Sequence, residues 1–182
     1  CRHLNISRCH LIGTSYGGEI AMRIGVDRPD MVASLVIIDS VSELDALVEN
    51  FVGSWIALAE TRNAELFYKS VLPSLYSRHF LASNREMLTQ RAEKMKQLPG
   101  EYFSGQIELY RAFLNDVTMT PELSSITAPT LVTCGEEDIL KPPRFSRIIA
   151  ERIPNAQLKL IPRAGHVAVF EAANSLITMI RD

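Results

Sequence analysis

The chain has 182 residues, 47% of them apolar and 22% charged, with a formal net charge of −2. This is the composition of one ordinary globular domain, or of a domain carrying an insertion. Acids and bases are interspersed without a basic stripe, which argues against nucleic acid as a partner, and no apolar run approaches the ~18 residues of a bilayer span.

No secretory leader is visible, although the sequence opens at Cys1 rather than at a methionine. The cysteines, Cys1, Cys9 and Cys134, are odd in number and sparsely placed. They predict neither a disulfide framework nor a metal site of paired cysteines. A cytoplasmic, reducing compartment and no membrane association are the expectation. Cys9 and His10 are adjacent in an apparent strand, where neighbours point to opposite faces, so they do not read as a dyad.

Residues 1–7 read as a helix tail or loop feeding a short strand over 8–13. That strand ends in Gly13-Thr14-Ser15-Tyr16-Gly17-Gly18, and apolar residues then recur at helical spacing through Ile20, Ala21, Met22 and Ile24. Strand, tight turn and helix form the context that Gly-x-Ser-x-Gly needs to act as a nucleophile elbow. A serine pinned in a strained turn brings its flanking residues close together, so side chains there are expected to clash. The turn exposes the Ser15 hydroxyl. It also sets the Tyr16 backbone N–H, at the positive end of the following helix, beside any oxyanion. The helix is expected to run to about residue 26, before Arg28-Pro29.

A second strand over 32–38 is rich in β-branched residues and reads as buried on both faces. Asp39 and Ser40 close it. From 41 to about 120 the periodicity is helical throughout. Ser42 and Asp45 resemble a capping box, followed by helices near 44–59, 63–72, 74–81, 84–98 and 101–115. Pro73 and Pro99-Gly100 punctuate them, and Asn84 is a candidate N-cap. Strands then resume at 129–134 and 157–161, with helices at 142–152 and 169–180. Such alternation predicts an α/β fold, a parallel sheet with helices on both faces.

Open parallel sheets place chemistry at the carboxyl ends of their strands. Three strand ends here carry Ser15, Asp138 and His166, in the order nucleophile, acid, base. Ser15 would attack an acyl carbon, His166 would shuttle the proton, and Asp138 would hold the imidazole in the useful tautomer. Of four histidines, only His166 follows a predicted strand of the sheet. Glu136 and Glu137 beside Asp138 also fit a solvated acidic turn, and Asp39 is a rival acid. Trp55, Ile139 and Val167 are the candidate substrate contacts, although Trp55 and Phe51 also fit plain packing of the helical stretch.

These segments resemble the α/β-hydrolase superfamily. The likeness rests on Leu11-Ile12-Gly13-Thr14-Ser15-Tyr16-Gly17-Gly18, on Ala128-Pro129-Thr130-Leu131-Val132 running into Gly135-Glu136-Glu137-Asp138, and on Ile161-Pro162-Arg163-Ala164-Gly165-His166. Within the superfamily the chain is most similar to the bacterial enol-lactonase and small-ester hydrolase branch. The resemblance implies a hydrolase core at 1–40 and 121–182, interrupted by a helical cap at 41–120. It implies a serine hydrolase of small esters, lactones or thioesters, needing neither metal nor organic cofactor. A serine at the elbow argues against the dehalogenase and epoxide-hydrolase members, which use aspartate.

Such proteins carry further strands before the elbow, one of whose loops donates the second oxyanion N–H. At about 30 residues per strand–helix–strand unit, roughly 80–110 residues would supply them. The expectation is an exposed sheet edge at the elbow strand, prone to self-association or to pairing with a complementing N-terminal segment, and weak activity of this chain alone. Two other readings remain: a ligand receptor that keeps the triad with slow turnover, and an inactive fragment.

Overall fold

A computed structural model describes residues 1–181. Four strands form one parallel sheet in sequence order: β1 (Cys9–Thr14), β2 (Val32–Ile38), β3 (Thr130–Gly135) and β4 (Ala156–Ile161). Parallel neighbours need long crossovers, and helices supply them: α1 (Tyr16–Asp27) joins β1 to β2, and α7 (Pro143–Arg152) joins β3 to β4. After β4 come α8 (Ala168–Glu171) and α9 (Ala173–Arg181), where the sequence predicts one helix.

Alternation along β2 shows how the layers form, because successive strand residues face opposite ways. Leu35 and Ile37 pack with Met22 of α1, Val132, and Ile149 of α7. Val36 and Ile38 pack on the other face with Ile161, Ala168 of α8 and Leu176 of α9. β2 is therefore covered on both sides, as its near-continuous apolar run predicts. The register sets Thr14 opposite Ile38, Ile38 opposite Thr133, and Gly135 opposite Ile161. All four strands thus end at one rim.

Between β2 and β3 lie five helices: α2 (Ala46–Glu60), α3 (Ala64–Leu75), α4 (Arg78–Ser83), α5 (Arg85–Met95) and α6 (Gly100–Asp116). Residues 41–120 contain no strand. Several local details differ from the expectations. Asp45 itself caps α2, accepting from the Val48 N–H at 3.0 Å, whereas the Ser42 hydroxyl is turned to Thr120 at 2.7 Å. Pro73 does not end α3 but lies in its last turn, where it removes a single bond to the carbonyl four residues back. The break comes at Tyr76 and Ser77, with Ser77 capping α4. Asn84 precedes α5, but its side chain donates back to the Phe80 carbonyl of α4 at 3.0 Å and makes no cap bond to α5. Among the described residues no helix is long and apolar enough to cross a membrane.

Candidate active site

The elbow between β1 and α1 is built by close backbone contact. Ser15 adopts φ 51° and ψ −126°, a conformation that non-glycine residues rarely hold. The turn brings Gly13 against Gly17 so tightly that a Cβ on Gly13 would lie 2.2 Å from the Gly17 carbonyl oxygen. The expected steric need is therefore met at Gly13. It is not met at Gly17, where a Cβ would point into open space. The second demand falls on Gly18, whose Cβ would sit 2.0 Å from the Ser40 hydroxyl. That hydroxyl is within reach of both the Ser15 carbonyl at 3.0 Å and the Ile38 carbonyl at 2.8 Å, so β2's end braces the elbow.

The rim then gathers Ser15, Asp138 and His166, which are far apart in sequence. Ser15 Oγ lies 2.9 Å from His166 Nε2, and His166 Nδ1 lies 2.8 Å from Asp138 Oδ2. Asp138 and His166 are buried, and Ser15 is half-buried. An ionised carboxylate only accepts. Nδ1 must therefore carry the proton and donate to Asp138, leaving Nε2 free to accept from the Ser15 hydroxyl. The other carboxylate oxygen, Asp138 Oδ1, accepts the Leu140 N–H at 2.9 Å and the Lys141 N–H at 2.8 Å. Three bonds, two to Oδ1 and one to Oδ2, thus orient the carboxylate toward His166. Glu136 and Glu137 are exposed, so only Asp138 of the acidic trio turns inward. His3, His10 and His79 are all exposed.

Asp39 does not bond to His166. Its Oδ1 accepts the Gly135 N–H and its Oδ2 the Ala168 N–H, each at 3.1 Å. It thus pins the segment before Asp138 to the segment after His166. Burial pushes its carboxyl up to about 7, with the neighbouring Asp138 adding to the rise and His166 opposing it. The backbone N–H of Tyr16, the first residue of α1, is one of the helix's unpaired donors by position.

A cavity of about 110 Å³ adjoins Ser15, walled by Tyr16, Val52, Trp55, Leu109, Tyr110, Phe113, Leu140 and Lys141. Of the three predicted contacts, Trp55 lines this cavity, whereas Ile139 and Val167 do not: Ile139 is half exposed, and the Val167 N–H is bound to the Leu75 carbonyl. A larger cavity of about 580 Å³ lies against Arg163 and α9 and touches none of the three rim residues.

Reading the sequence did not find Glu19 and Lys141. Glu19 Oε1 accepts from Lys141 Nζ at 2.9 Å and from the Val41 N–H at 2.7 Å, with both side chains almost fully buried. Lys141 Nζ also lies over the Phe113 ring, 4.5 Å from its centroid. Burial holds the Glu19 carboxyl above the usual range, opposed chiefly by Lys141. These residues are 122 positions apart, and no local pattern couples them.

The model of the α/β-hydrolase fold family matches residues 1–173. A RutD protein of Variovorax paradoxus, named as a carbamate hydrolase, is 30% identical over 169 residues, covering 91% of this chain and 62% of its own. A crystal structure of an α/β-hydrolase enzyme, MGS-M2, from a Medee basin deep-sea metagenome library superimposes with a TM-score of 0.94 at 26% identity, over 98% of this chain and 66% of that one. The enol-lactonase of Burkholderia xenovorans LB400 shares the fold, with a TM-score of 0.84 at 20% identity over 98% of this chain and 66% of its own. The chain therefore spans slightly less than two thirds of these three proteins. With a parallel sheet, a strained serine elbow and this match along nearly its whole length, the chain belongs to the α/β-hydrolase fold family.

Proposed function

We propose that the protein is a serine hydrolase of small carboxylic esters, lactones or thioesters, working through Ser15, His166 and Asp138 and an acyl-enzyme. The observation that carries this reading is the continuous relay Ser15 Oγ–His166 Nε2 and His166 Nδ1–Asp138 Oδ2, at 2.9 and 2.8 Å. In acylation, Ser15 Oγ bonds to the substrate's carbonyl carbon while its proton passes to His166 Nε2. The imidazolium then protonates the departing alkoxide or thiolate as the acyl–leaving-group bond breaks. Water, deprotonated by the same nitrogen, releases the acid and restores Ser15. The Tyr16 N–H faces the developing oxyanion, and Asp138 stabilises the imidazolium without taking its proton. Residues 41–120 act as the cap, a reading supported by Val52, Trp55, Tyr110 and Phe113 of that segment lining the cavity at Ser15. The carbamate hydrolase name of the RutD relative agrees with attack of water on an acyl carbon.

The direct test is labelling with a fluorophosphonate probe followed by intact-mass measurement. One adduct, absent from Ser15→Ala, is expected. In turnover, Ser15→Ala should lose about 10⁶ in kcat. Retention of more than a tenth of the rate would exclude the assignment of Ser15.

A further inference from the structure

His166 sits in the loop between β4 and α8. Asp138 and Ser15 fix its ring, but its backbone is held separately and from two sides. From the sheet, the Glu137 N–H donates to the Ala164 carbonyl at 2.9 Å, and the Ala168 N–H to Asp39 Oδ2 at 3.1 Å. From the helical segment, the break between α3 and α4 reaches the same loop. The Val167 N–H donates to the Leu75 carbonyl at 3.2 Å. Gly165 lies so close to the break that a Cβ there would stand 2.5 Å from the Ser77 nitrogen and 2.8 Å from the Tyr76 carbonyl carbon. The residues immediately before and after His166 thus both touch the helical segment.

Glu171 closes this contact. Its Oε1 accepts the Ser77 N–H at 2.9 Å, and its Oε2 accepts the Ser77 hydroxyl at 2.5 Å. That Oε1 would also lie 2.9 Å from a Cβ on Gly165, so the carboxylate packs beside the residue that precedes His166. Ser77 is buried, and leaving its N–H without an acceptor there is costly. A second point of contact lies next to the first. Arg91 of α5 donates to Tyr76 Oη at 2.9 Å and lies over the Phe170 ring at 5.1 Å. The loop needs such support, because Arg163, three residues before His166, is held at φ 59°. A non-glycine residue keeps that conformation only where its surroundings over-determine it.

We propose that Glu171, acting through Ser77, is a positioning residue for His166. The clasp holds the loop so that Nε2 stays in reach of Ser15 Oγ, and it makes the alignment of the base depend on how the helical segment is seated. Neither Glu171 nor Ser77 lines the cavity at Ser15, so the clasp acts on the base and not on the substrate. The role rests on the hydrolase reading of His166.

The test follows fluorophosphonate labelling over time, at several probe concentrations, on the protein that carries this sequence. In Glu171→Ala the maximal labelling rate is expected to fall roughly 100-fold, the cost of misplacing a reacting group by about 1 Å. The half-saturating probe concentration should stay within about twofold, because only the reacting geometry is lost. Glu171→Gln still offers an acceptor to the buried Ser77 N–H and should restore about a tenth of the original rate or more. Ser77→Ala added to Glu171→Ala should cost nothing further, since the two residues act as one unit. Melting curves check that each variant is folded at the assay temperature. Ser77→Ala alone, expected to label about tenfold slower, carries the test if Glu171→Ala does not fold. A second measurement needs no chemistry at Ser15. The low-field proton resonance of the His166 Nδ1–H bonded to Asp138, assigned by its loss in His166→Ala, should shift or broaden in the clasp variants. A folded Glu171→Ala that labels at the original rate would overturn the clasp. So would an unchanged resonance, a change confined to the half-saturating concentration, or strict additivity of the two alanine substitutions. No labelling of the unsubstituted protein, with the resonance still perturbed by Glu171→Ala, would instead count against the hydrolase reading and leave the clasp standing.

Discussion

Ser15 shows at one residue how strain and position combine. Its positive φ is held because Gly13 lets Gly17 approach and Gly18 lets Ser40 approach. The glycines are not equivalent, and substitution should expose the difference. Gly13→Ala forces backbone against backbone and is expected to destabilise by about 3 kcal/mol or more. Gly17→Ala meets nothing within 4 Å. In the first turn of a helix it should be neutral, or stabilising by up to ~1 kcal/mol. Urea denaturation of the two variants side by side is the check. Asp39 makes a second prediction at this scale. Its carboxyl titrates near 7 in the folded protein against ~3.9 when unfolded. Between those values the folded state holds a proton that the unfolded state lacks, so stability falls as pH rises through that window, by up to ~4 kcal/mol from this group. The urea midpoint should therefore be lower at pH 8 than at pH 5.5. Asp39→Asn should flatten that slope, whatever it does to the absolute midpoint; an unchanged slope would place the titration elsewhere.

Among elements, the buried Glu19–Lys141 pair joins the elbow helix to the acid loop. Glu19 lies one helical turn beyond Ser15, and the Lys141 N–H holds Asp138 at 2.8 Å. A bond between the two side chains therefore fixes the spacing of nucleophile and acid. Removing one partner leaves a buried charge alone, so Lys141→Met should cost about 3–5 kcal/mol. Glu19→Gln combined with Lys141→Met should recover much of that loss. The double-mutant cycle measures it, and strict additivity would mean the pair is not coupled. A second tether joins the helical segment to the His166 loop. Glu171 accepts the Ser77 N–H at 2.9 Å, and the Val167 N–H donates to the Leu75 carbonyl at 3.2 Å. The break at Tyr76 and Ser77 that interrupts α3 and α4 is thus a docking point, not a defect.

At the scale of the whole molecule, β1 is paired among the described residues on one side only, by β2, and Ile12 on it is 59% exposed. An edge strand carrying an exposed β-branched residue is a template for further pairing. The 182-residue chain by itself is expected to elute above monomer size at micromolar concentration. Ile12→Lys, which puts a charge on that edge, should shift it toward monomer. Elution as a monomer before the substitution would remove the argument.

Much of this architecture was legible in the sequence because its causes are local. The β-branched apolar run in residues 32–38, turn glycines after 12, and proline at 29 each act within a few residues. They predict the strands, the elbow and the order of Ser15, Asp138 and His166. Helix ends were less legible. Asp45 outcompeted Ser42 as the cap, and α3 ran on past Pro73, because a cap or a proline is worth only about 1–3 kcal/mol and packing overrides it. Tertiary structure alone decided which acid reaches His166, since Asp138 and Asp39 both close strands at one rim and only distance separates them. It alone moved the second steric demand from Gly17 to Gly18. It alone paired Glu19 with Lys141, and set a small cavity at Ser15. Sequence periodicity reports which face of an element is apolar. Which distant face it meets, and what space is left between them, is settled only when the helices pack.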